Sequence, residues 1–437
     1  MTSGLVAIAL AVAQAIGAAQ TAPPSHDHES MQHGSLFRAR EASGTAWTPD
    51  EGVMSGVHLH AGTWDVMLHG TLFAGVTYEP PEFVHRTGGF ETTQFSVPNW
   101  GMAMARRRAG DGRVGLTAMI SLEPWTVPGC GTIDFFATGE MCDGDTIHDR
   151  QHPHDLFMEL AADYDRPLRG SWRWQVYGGL SGEPALGPPG YPHRASAADN
   201  PVAPIGHHWL DSTHITFGLV TAGVFSDRWK IEGSVFNGRE PDEDRTDLDL
   251  GPLDSVSGRI TWLPTPRLAM QVSAGFLNEA EQQFAPLPRT SNNRLTASLI
   301  HQRPFGASGF WASTLAYGLN GGHIFLADGT DVFELSSGGL AETNLALNER
   351  HTVFGRLELV GKPGHDLHVH DQPTRILPVT KLQGGYVRHF PIGRTDSGVG
   401  VSGSLSLVPQ ELDARYYGRL AKGVTVFFVV RPPRHTM

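Results

Sequence analysis

The sequence alternates between apolar and polar residues over runs that are long for a globular protein. Between Leu268 and Phe276 every second residue is apolar, with Gln271, Ser273 and Gly275 among the intervening positions. A period of two over such a run predicts a strand with one apolar and one polar face. Globular strands usually have about five to six residues, whereas a tilted strand needs roughly 9–11 residues to cross a bilayer. The pattern therefore predicts membrane-spanning strands.

Sixteen such runs lie between residues 64 and 431, and four of them alternate irregularly. Short turns such as residues 109–111 and 226–227 alternate along the chain with loops of about ten to thirty residues. An even number of antiparallel strands, with turns at one end and loops at the other, is typical of outer-membrane barrels. A soluble β-sandwich or propeller gives no reason for this regularity, and no blade repeat is visible. We therefore predict an all-β fold, a transmembrane antiparallel β-barrel of about 16 strands.

The composition excludes other classes of protein. Asp and Glu (45) exceed Lys and Arg (33), the net charge is −12 and no basic run occurs, which excludes a nucleic-acid-binding surface. Past residue 22 no stretch of about 18 apolar residues occurs, which excludes a polytopic helical membrane protein. The mean hydropathy of −0.21 suits a closed sheet with one wet face. The expected partners are outer-membrane lipid and a small solute or metal ion, with a homo-oligomer left open.

The N-terminus predicts export. Residues 4–19 are uncharged, apolar and end in small residues, so we assign residues 1–19 to a secretory signal peptide, with a buried helix as the alternative. Residues 20–56 are polar and predict a flexible periplasmic tail, and residues 57–437 form the barrel. In an oxidising compartment Cys130 and Cys142 can form a disulfide. A two-cysteine soft-metal site is the alternative.

Two further sets of residues fit a barrel wall. Aromatic residues near predicted strand ends suit interfacial girdles: Trp100, Trp172, Trp229, Trp262, Tyr386 and Phe390. Charged residues of both signs lie opposite the apolar stripe and are candidates for lining the pore: Glu159, Arg173, Lys230, Glu232, Arg259, Arg294, Arg356 and Glu358. These charges either tune the selectivity of an aqueous interior or pair as salt bridges that rigidify the wall.

The distribution of histidine along the chain indicates candidate metal ligands. The chain has 22 His, clustered in the tail and in three long loops. Imidazole together with carboxylate suits Cu, Zn, Ni or Co, and a nearby carboxylate can orient the second ring nitrogen. The candidate loop ligands are His148, His152, His154, Asp155, His207, His208, His214, His365, His368 and His370. We expect Cu or Zn as the cofactor, if the protein has one.

Other readings of the loops remain open. Pro- and Gly-rich loops can fold inward as a hydrogen-bonded plug that binds no metal. Ser212, His214 and Asp211 are near neighbours in sequence and cannot form a nucleophile relay with one another, so a hydrolase would need partners from other loops. The acidic loop from Glu240 to Asp254 suits Ca²⁺ in residue type, but it lacks the EF-hand spacing and is better read as a solvated surface loop.

Four stretches carry a resemblance that covers most of the chain after the signal peptide. They are DRQHPHDLFMELA (149–161), GEPALGP (182–188), DNPVAPIGHHWLDSTHI (199–215) and FNGREPDEDR (236–245). They resemble a family of uncharacterised bacterial outer-membrane β-barrel proteins, which implies the fold but no activity. Separately, the tail motif HDHESMQH resembles the copper resistance protein B family, although it lacks repeated Met/His units. That resemblance implies a copper-linked role for His26, His28, Met31 and His33.

The hypothesis that follows is a porin-like outer-membrane barrel, not an enzyme, that passes or sequesters a small solute such as a transition-metal ion, copper in particular. A structural or adhesion barrel with plug-like loops and no metal is the first alternative. A loop-borne hydrolase is the second.

Overall fold

The computed structural model describes residues 36–80, 92–281, 288–326, 328–369, 371–407, 409, 412 and 419–436. The predicted signal peptide and the first part of the predicted tail lie outside these residues. The strands are β1 (Val53–Ser55), β2 (Val57–Ala61), β3 (Trp64–Tyr78), β4 (Thr93–Ser96), β5 (Asn99–Ala109), β6 (Gly112–Ile120), β7 (Thr132–Cys142), β8 (Asp145–Gln151), β9 (Phe157–Arg169), β10 (Trp172–Gly182), β11 (Thr216–Phe225), β12 (Trp229–Phe236), β13 (Ser255–Thr265), β14 (Leu268–Glu281), β15 (Thr290–Phe305), β16 (Gly309–Phe325), β17 (Asp331–Ala346), β18 (His351–Pro363), β19 (Ile376–Ile392), β20 (Thr395–Leu407), β21 (Leu420–Arg431) and β22 (Arg434–Thr436).

These strands close into an antiparallel barrel. Strands β4 and β5 pair with the same side of β3 and together form one wall strand, interrupted at residues 97–98. With β3, β6 and β9–β21 the described residues give sixteen wall strands, and β21 closes the ring by pairing residues 424–430 with 72–78 of β3. The predicted sixteen-stranded barrel is confirmed. Closure pairs the backbone groups of every wall strand on both sides, which is what a sheet needs in lipid.

Alternation places apolar side chains outside and polar side chains inside. On β13, Val256 and Ile260 are 51% and 49% exposed, whereas Arg259 is only 2% exposed. The register repeats this pattern around the wall, because Ile231 lies beside Ile260, which in turn lies beside Val272 of β14. Large apolar side chains on the outside of a closed sheet form the lipid-facing belt of a transmembrane barrel. No helix in the described part of the chain is long and apolar enough to span a membrane.

The connections follow the predicted alternation of turns and loops. Most of the predicted girdle aromatics lie near the turns, where Trp229 and Trp262 stack with ring centroids 5.4 Å apart. Trp100 differs, because it packs against His193 of a long loop, 4.8 Å between centroids. Two long loops contain structure of their own. They hold α1 (Glu123–Thr126), the β7–β8 hairpin, α2 (His207–Leu210) and the 3₁₀ turns Tyr191–His193 and Ser212–His214.

The N-terminal segment (residues 36–52) lies inside the barrel near the turns. Lys230 donates to the carbonyl oxygen of Thr45, and Arg259 donates to its hydroxyl at 3.2 Å. Glu51 accepts from Arg267 beside the β13–β14 turn, which places this segment at the turn end of the barrel. Trp47 is buried in an apolar cluster with Phe225, Leu263, Ala269 and Ile300 of the wall. These lumen contacts hold residues 36–52 in place, whereas their polar composition predicted a flexible tail.

Candidate functional site

The β10–β11 loop (residues 183–215) crosses the lumen instead of projecting from the barrel. Its polar groups bond to the inner faces of strands far apart around the wall. These bonds join Ala185 N to Ser234 Oγ (2.7 Å), Gly187 N to Ser273 Oγ (2.8 Å), Asn200 Nδ2 to Gln383 Oε1 (2.7 Å) and Trp209 Nε1 to Ser336 Oγ (2.9 Å). The strands contacted are β12, β14, β19 and β17. The loop therefore narrows the interior that sixteen strands would otherwise leave open.

Buried ion pairs anchor this loop. The Arg194 side chain is fully buried, and it donates to Asp211 within the loop and to Glu342 of β17 at 2.7 Å. Arg356 of β18 donates to the other oxygen of Glu342 at 3.1 Å. A buried guanidinium is held in place only where carboxylates and carbonyls satisfy its donors. These ion pairs thus fix the loop to strands β17 and β18.

The second inward element is the β7–β8 hairpin. Lys381 of β19 donates to Asp134, and Lys362 of β18 donates to the Thr138 hydroxyl at 2.8 Å. Phe135 and Phe136 are buried in an apolar cluster that also contains Trp209, Leu210 and wall residues. Cys130, just before β7, and Cys142, its last residue, form a disulfide with 5.7 Å between their Cα atoms. A soft-metal site on these two thiols is therefore not what this structure forms.

The β10–β11 loop and the segment between β8 and β9 bring five of the predicted ligands into one imidazole cluster. Its members are His152, His154, His207, His208 and His214, all buried. Ring centroids are 5.0 Å apart for His207 and His214, 5.4 Å for His154 and His214, and 5.5 Å for His207 and His208. His152 lies 6.0 Å from both His207 and His208. Loops separated by some fifty residues in sequence thus place their imidazoles side by side.

Carboxylate oxygens lie within 3.2 Å of a ring nitrogen in four of the five imidazoles, although His152 Nε2 makes no hydrogen bond within the described residues. The contacts are His154 Nδ1 to Glu123 Oε1 (2.9 Å), His207 Nδ1 to Asp211 Oδ1 (2.9 Å), His208 Nδ1 to Glu240 Oε1 (3.0 Å) and His152 Nε2 to Glu140 Oε1 (3.2 Å). His214 Nδ1 contacts the carbonyl oxygen of Asp211 at 2.8 Å. Such partners orient an imidazole and fix which nitrogen stays available.

Burial and neighbouring charges divide the cluster into two kinds of imidazole. Burial lowers the pKa of His207 to about 3, against the opposing effect of Asp211. Burial, with His207 and His154 nearby, also lowers the pKa of His214 well below its ordinary value. For His154 and His208 burial acts in the same direction, but Glu123 and Glu240 outweigh it and raise the pKa of each ring. His207 and His214 are therefore neutral at pH 7 and can bind a metal directly, whereas a protonated imidazole releases its proton when a metal binds.

Sequence reasoning missed residues that extend the cluster. His193 lies in the same loop, its Nε2 is 3.3 Å from the sulfur of Met119, and its ring lies 5.9 Å from that of His69 on β3. The Tyr191 hydroxyl is 3.1 Å from His154 Nε2. The only sequence signal for His193 was its place in a His-rich loop, and nothing local marked Glu123, Glu140 or Tyr191. Their roles arise because separate loops meet in the lumen.

The other predicted ligands lie elsewhere. His148 stacks on His368 with centroids 5.0 Å apart. His365 contacts Glu334 at 3.0 Å and Asp366 at 3.1 Å, and Asp155 contacts Arg245 at 3.5 Å. The structure therefore does not bring these four residues into the imidazole cluster. His370 and the tail residues His26, His28, Met31 and His33 lie outside the described residues.

The charged residues predicted to line the pore are on the inner face, and each contacts a polar group. The contacts are Glu159 with Tyr177, Arg173 with Asp165, Lys230 and Arg259 with Glu232, Arg294 with Asn320 and Ser212, Arg356 with Glu342, and Glu358 with the backbone of Gly206. Five of the eight form ion pairs, whereas Glu159, Arg294 and Glu358 bond to uncharged groups.

A cavity of about 180 Å³ lies beside the imidazole cluster. His154, Tyr191 and His193 line it on one side, and Arg431 and Asp199 on another. Since a water molecule needs about 10–15 Å³ of such space, the cavity holds about a dozen waters, which suits a hydrated ion.

Closed sheet, apolar belt and alternating connections define this protein as a transmembrane β-barrel of the outer-membrane type, with loops folded into its lumen. OmpF of Salmonella typhi, in complex with daunomycin, is 8% identical with a TM-score of 0.49, covering 86% of this chain and 100% of its own. The outer membrane channel DcaP of Acinetobacter baumannii is 10% identical with a TM-score of 0.48, and the match covers 86% of this chain and 100% of DcaP. An anion-selective porin from Comamonas acidovorans is 11% identical with a TM-score of 0.45, and the match covers 84% of this chain and 99% of the porin.

No protein-family model matches the sequence, and the curated proteins give no match. The resemblance of the tail to the copper resistance protein B family therefore gains no support from these comparisons.

Proposed function

We propose that the protein is a porin-like outer-membrane barrel that passes or holds a transition-metal ion, such as copper or zinc, in its lumen. The observation that carries the proposal is the imidazole cluster, in which two loops bring five histidines together inside the barrel. Imidazole nitrogen suits Cu and Zn, and His207 and His214 are neutral at pH 7. The nearby carboxylates can offset the charge of a cation.

The narrowness of the lumen supports a small solute. The β10–β11 loop and the β7–β8 hairpin occupy the interior, and the adjoining cavity has a volume of about 180 Å³. A metal ion with part of its hydration shell fits this space. Imidazoles at 5–6 Å centroid spacing offer successive nitrogen donors along the lumen, so an ion can pass between them without full rehydration. Conduction needs several sites of moderate affinity instead of one tight site.

A second function is favoured by the ion pairs that anchor the loop. Arg194, Asp211, Glu342 and Arg356 form a buried network that fixes the loop to the wall. Such a network also suits a closed structural barrel whose plug binds no metal. Metal binding distinguishes the two functions.

Calorimetric titration of the detergent-purified full chain with CuCl₂ tests the proposal. We expect the wild type to bind Cu²⁺ and the triple variant His154→Ala/His207→Ala/His214→Ala to lose at least one equivalent per chain. The matched control is His60→Ala/His301→Ala/His351→Ala, which removes three imidazoles that line neither the cluster nor a cavity and should bind like the wild type. Heat-modifiable migration on a gel shows that each variant has a folded barrel. Equal stoichiometry in the wild type and the cluster variant would favour the structural plug.

A further inference from the structure

A second cavity, of about 60 Å³, lies on the loop side of the imidazole cluster and has an unusual lining. Five carboxylates and three imidazoles line it, and its described lining contains no Lys or Arg. They are Glu140, Glu240, Glu281, Glu334 and Asp366, with His208, His323 and His365. The five carboxylates outnumber the three imidazoles, and excess negative charge around a low-dielectric pocket concentrates cations. This lining therefore favours a cation.

Within this cavity three donors converge. One ligand atom each of His208, Glu240 and Glu281 lies within 4.8 Å of the other two. Two other groups in the described residues meet the same distance. Cys130 and Cys142 with Asp143 are committed to the disulfide, and Asp242, Asp247 and Asp249 form an acidic surface cluster. Only the first group combines an imidazole with carboxylates in the lumen.

The backbone orients His208 for this role. Gly139 has a φ of +111°, and a Cβ at this position would lie 2.2 Å from His208 Nε2. The ring therefore rests directly on the glycine, and its Nδ1 points to Glu240 at 3.0 Å. A larger residue at position 139 would displace the ring. His208 itself is fixed by α2, whose carbonyl at His208 accepts from Asn320 Nδ2 at 2.9 Å.

Three guanidinium groups lie near this cavity, of which Arg245 donates to Glu140 and Arg289 donates its Nη1 to the backbone oxygen of Glu240 at 3.2 Å. Arg294 donates its Nε to Asn320 at 2.9 Å and its Nη1 to Ser212 at 2.8 Å. A cation placed between the carboxylates of Glu240 and Glu281 is attracted by both of them. The cavity has room for an ion with one or two waters, which need about 10–15 Å³ of such space each.

From these observations we infer that His208, Glu240 and Glu281 form a binding site for a divalent transition-metal ion, with one nitrogen and two oxygen donors and with water completing the coordination. Three protein ligands with open positions are typical of exchangeable metal sites. Carboxylate oxygen suits Mn²⁺ and imidazole suits Zn²⁺. The inference deepens the proposed function, since it places the first binding site for the ion between the external loops and the imidazole cluster.

Binding of Mn²⁺ to the full chain tests the site. The loss of the electron paramagnetic resonance signal of free Mn²⁺ measures this binding. We expect Glu240→Gln/Glu281→Gln to weaken Mn²⁺ binding at least about 100-fold, because even second-sphere partners of ligands contribute 10–100-fold. The matched control is Glu243→Gln/Glu279→Gln, which removes two carboxylates from the same loop and strand. Glu243 bonds to backbone amides of residues 143 and 144 and Glu279 to Arg239, so neither belongs to the donor group.

Equal Mn²⁺ affinity in the two double variants, or no binding by the wild type at millimolar Mn²⁺, would overturn the inference. If Mn²⁺ binding fails while Cu²⁺ binding still depends on His154, His207 and His214, the inference alone is wrong. If the wild type binds no Cu²⁺, the proposed function fails whatever the result with Mn²⁺. Heat-modifiable migration confirms folding of both double variants.

Discussion

At the scale of single residues, the lumen is a set of buried charges that are almost all paired across long sequence distances. Arg194 shows the pattern most clearly, because its guanidinium is completely buried between Asp211 and Glu342. Removing one member of a buried ion pair leaves the other charge without compensation, which typically costs about 3–5 kcal/mol. Surface pairs contribute little because water screens them.

We therefore expect Arg194→Met to lower the free energy of unfolding by about 3–5 kcal/mol. Urea-induced unfolding in lipid vesicles measures this change. The matched control is Arg166→Met, which breaks the exposed pair with Asp111 and should have little effect. Equal effects of the two substitutions would mean that the β10–β11 loop is not held by its buried ion pairs.

At the scale of elements, the N-terminal segment is attached to the barrel interior by charge. Glu41 contacts Arg106 and Arg113 at 3.0 Å each. Burial raises the pKa of Glu41, but Arg106, Arg113 and Arg38 outweigh it and lower the pKa from the ordinary 4.5 to about 2. A lowered pKa stabilises the folded state above about pH 4.5, and this stabilisation is lost as the pH falls toward 2.

The expected difference in unfolding free energy between the wild type and Glu41→Gln is therefore constant above about pH 5 and shrinks between pH 4.5 and 2. From the pKa change the difference amounts to about 3 kcal/mol at neutral pH. Glu51→Gln, which removes a largely exposed partner of Arg267, is the control and should show a much smaller pH dependence. A difference that is independent of pH would show that Glu41 acts through packing and not through its charge.

At the scale of the whole molecule, the barrel wall can form independently of the β10–β11 loop inside it. The ends of the β10–β11 loop are adjacent, because Gly182 pairs with Thr216. A short Gly/Ser turn can therefore replace residues 185–213 without changing the register of the wall. Without the loop, a sixteen-stranded barrel has an aqueous interior.

We expect this loop replacement to raise single-channel conductance in planar bilayers severalfold over the wild type. The control places the same turn at residues 326–330 between β16 and β17, where conductance should stay at the wild-type level. No change on replacing residues 185–213 would show that the β7–β8 hairpin and the N-terminal segment close the lumen by themselves.

The sequence by itself determined the sixteen strands, the side of the wall that each residue faces and the alternation of turns and loops. These features are local, since a period of two and the turn residues decide them within about ten positions. The sequence also identified five of the clustered histidines as candidate ligands from their residue type alone. It gave no means of separating them from His148, His365 and His368.

Only the tertiary structure decided which loops fold into the lumen and which residues meet there. The anchoring bond between Arg194 and Glu342 joins positions 148 residues apart, and no local pattern encodes such a contact. The same holds for the N-terminal segment, whose polar composition predicted a flexible tail. Inside a barrel a polar segment can be buried, because the wall supplies charged partners that a hydrophobic core lacks.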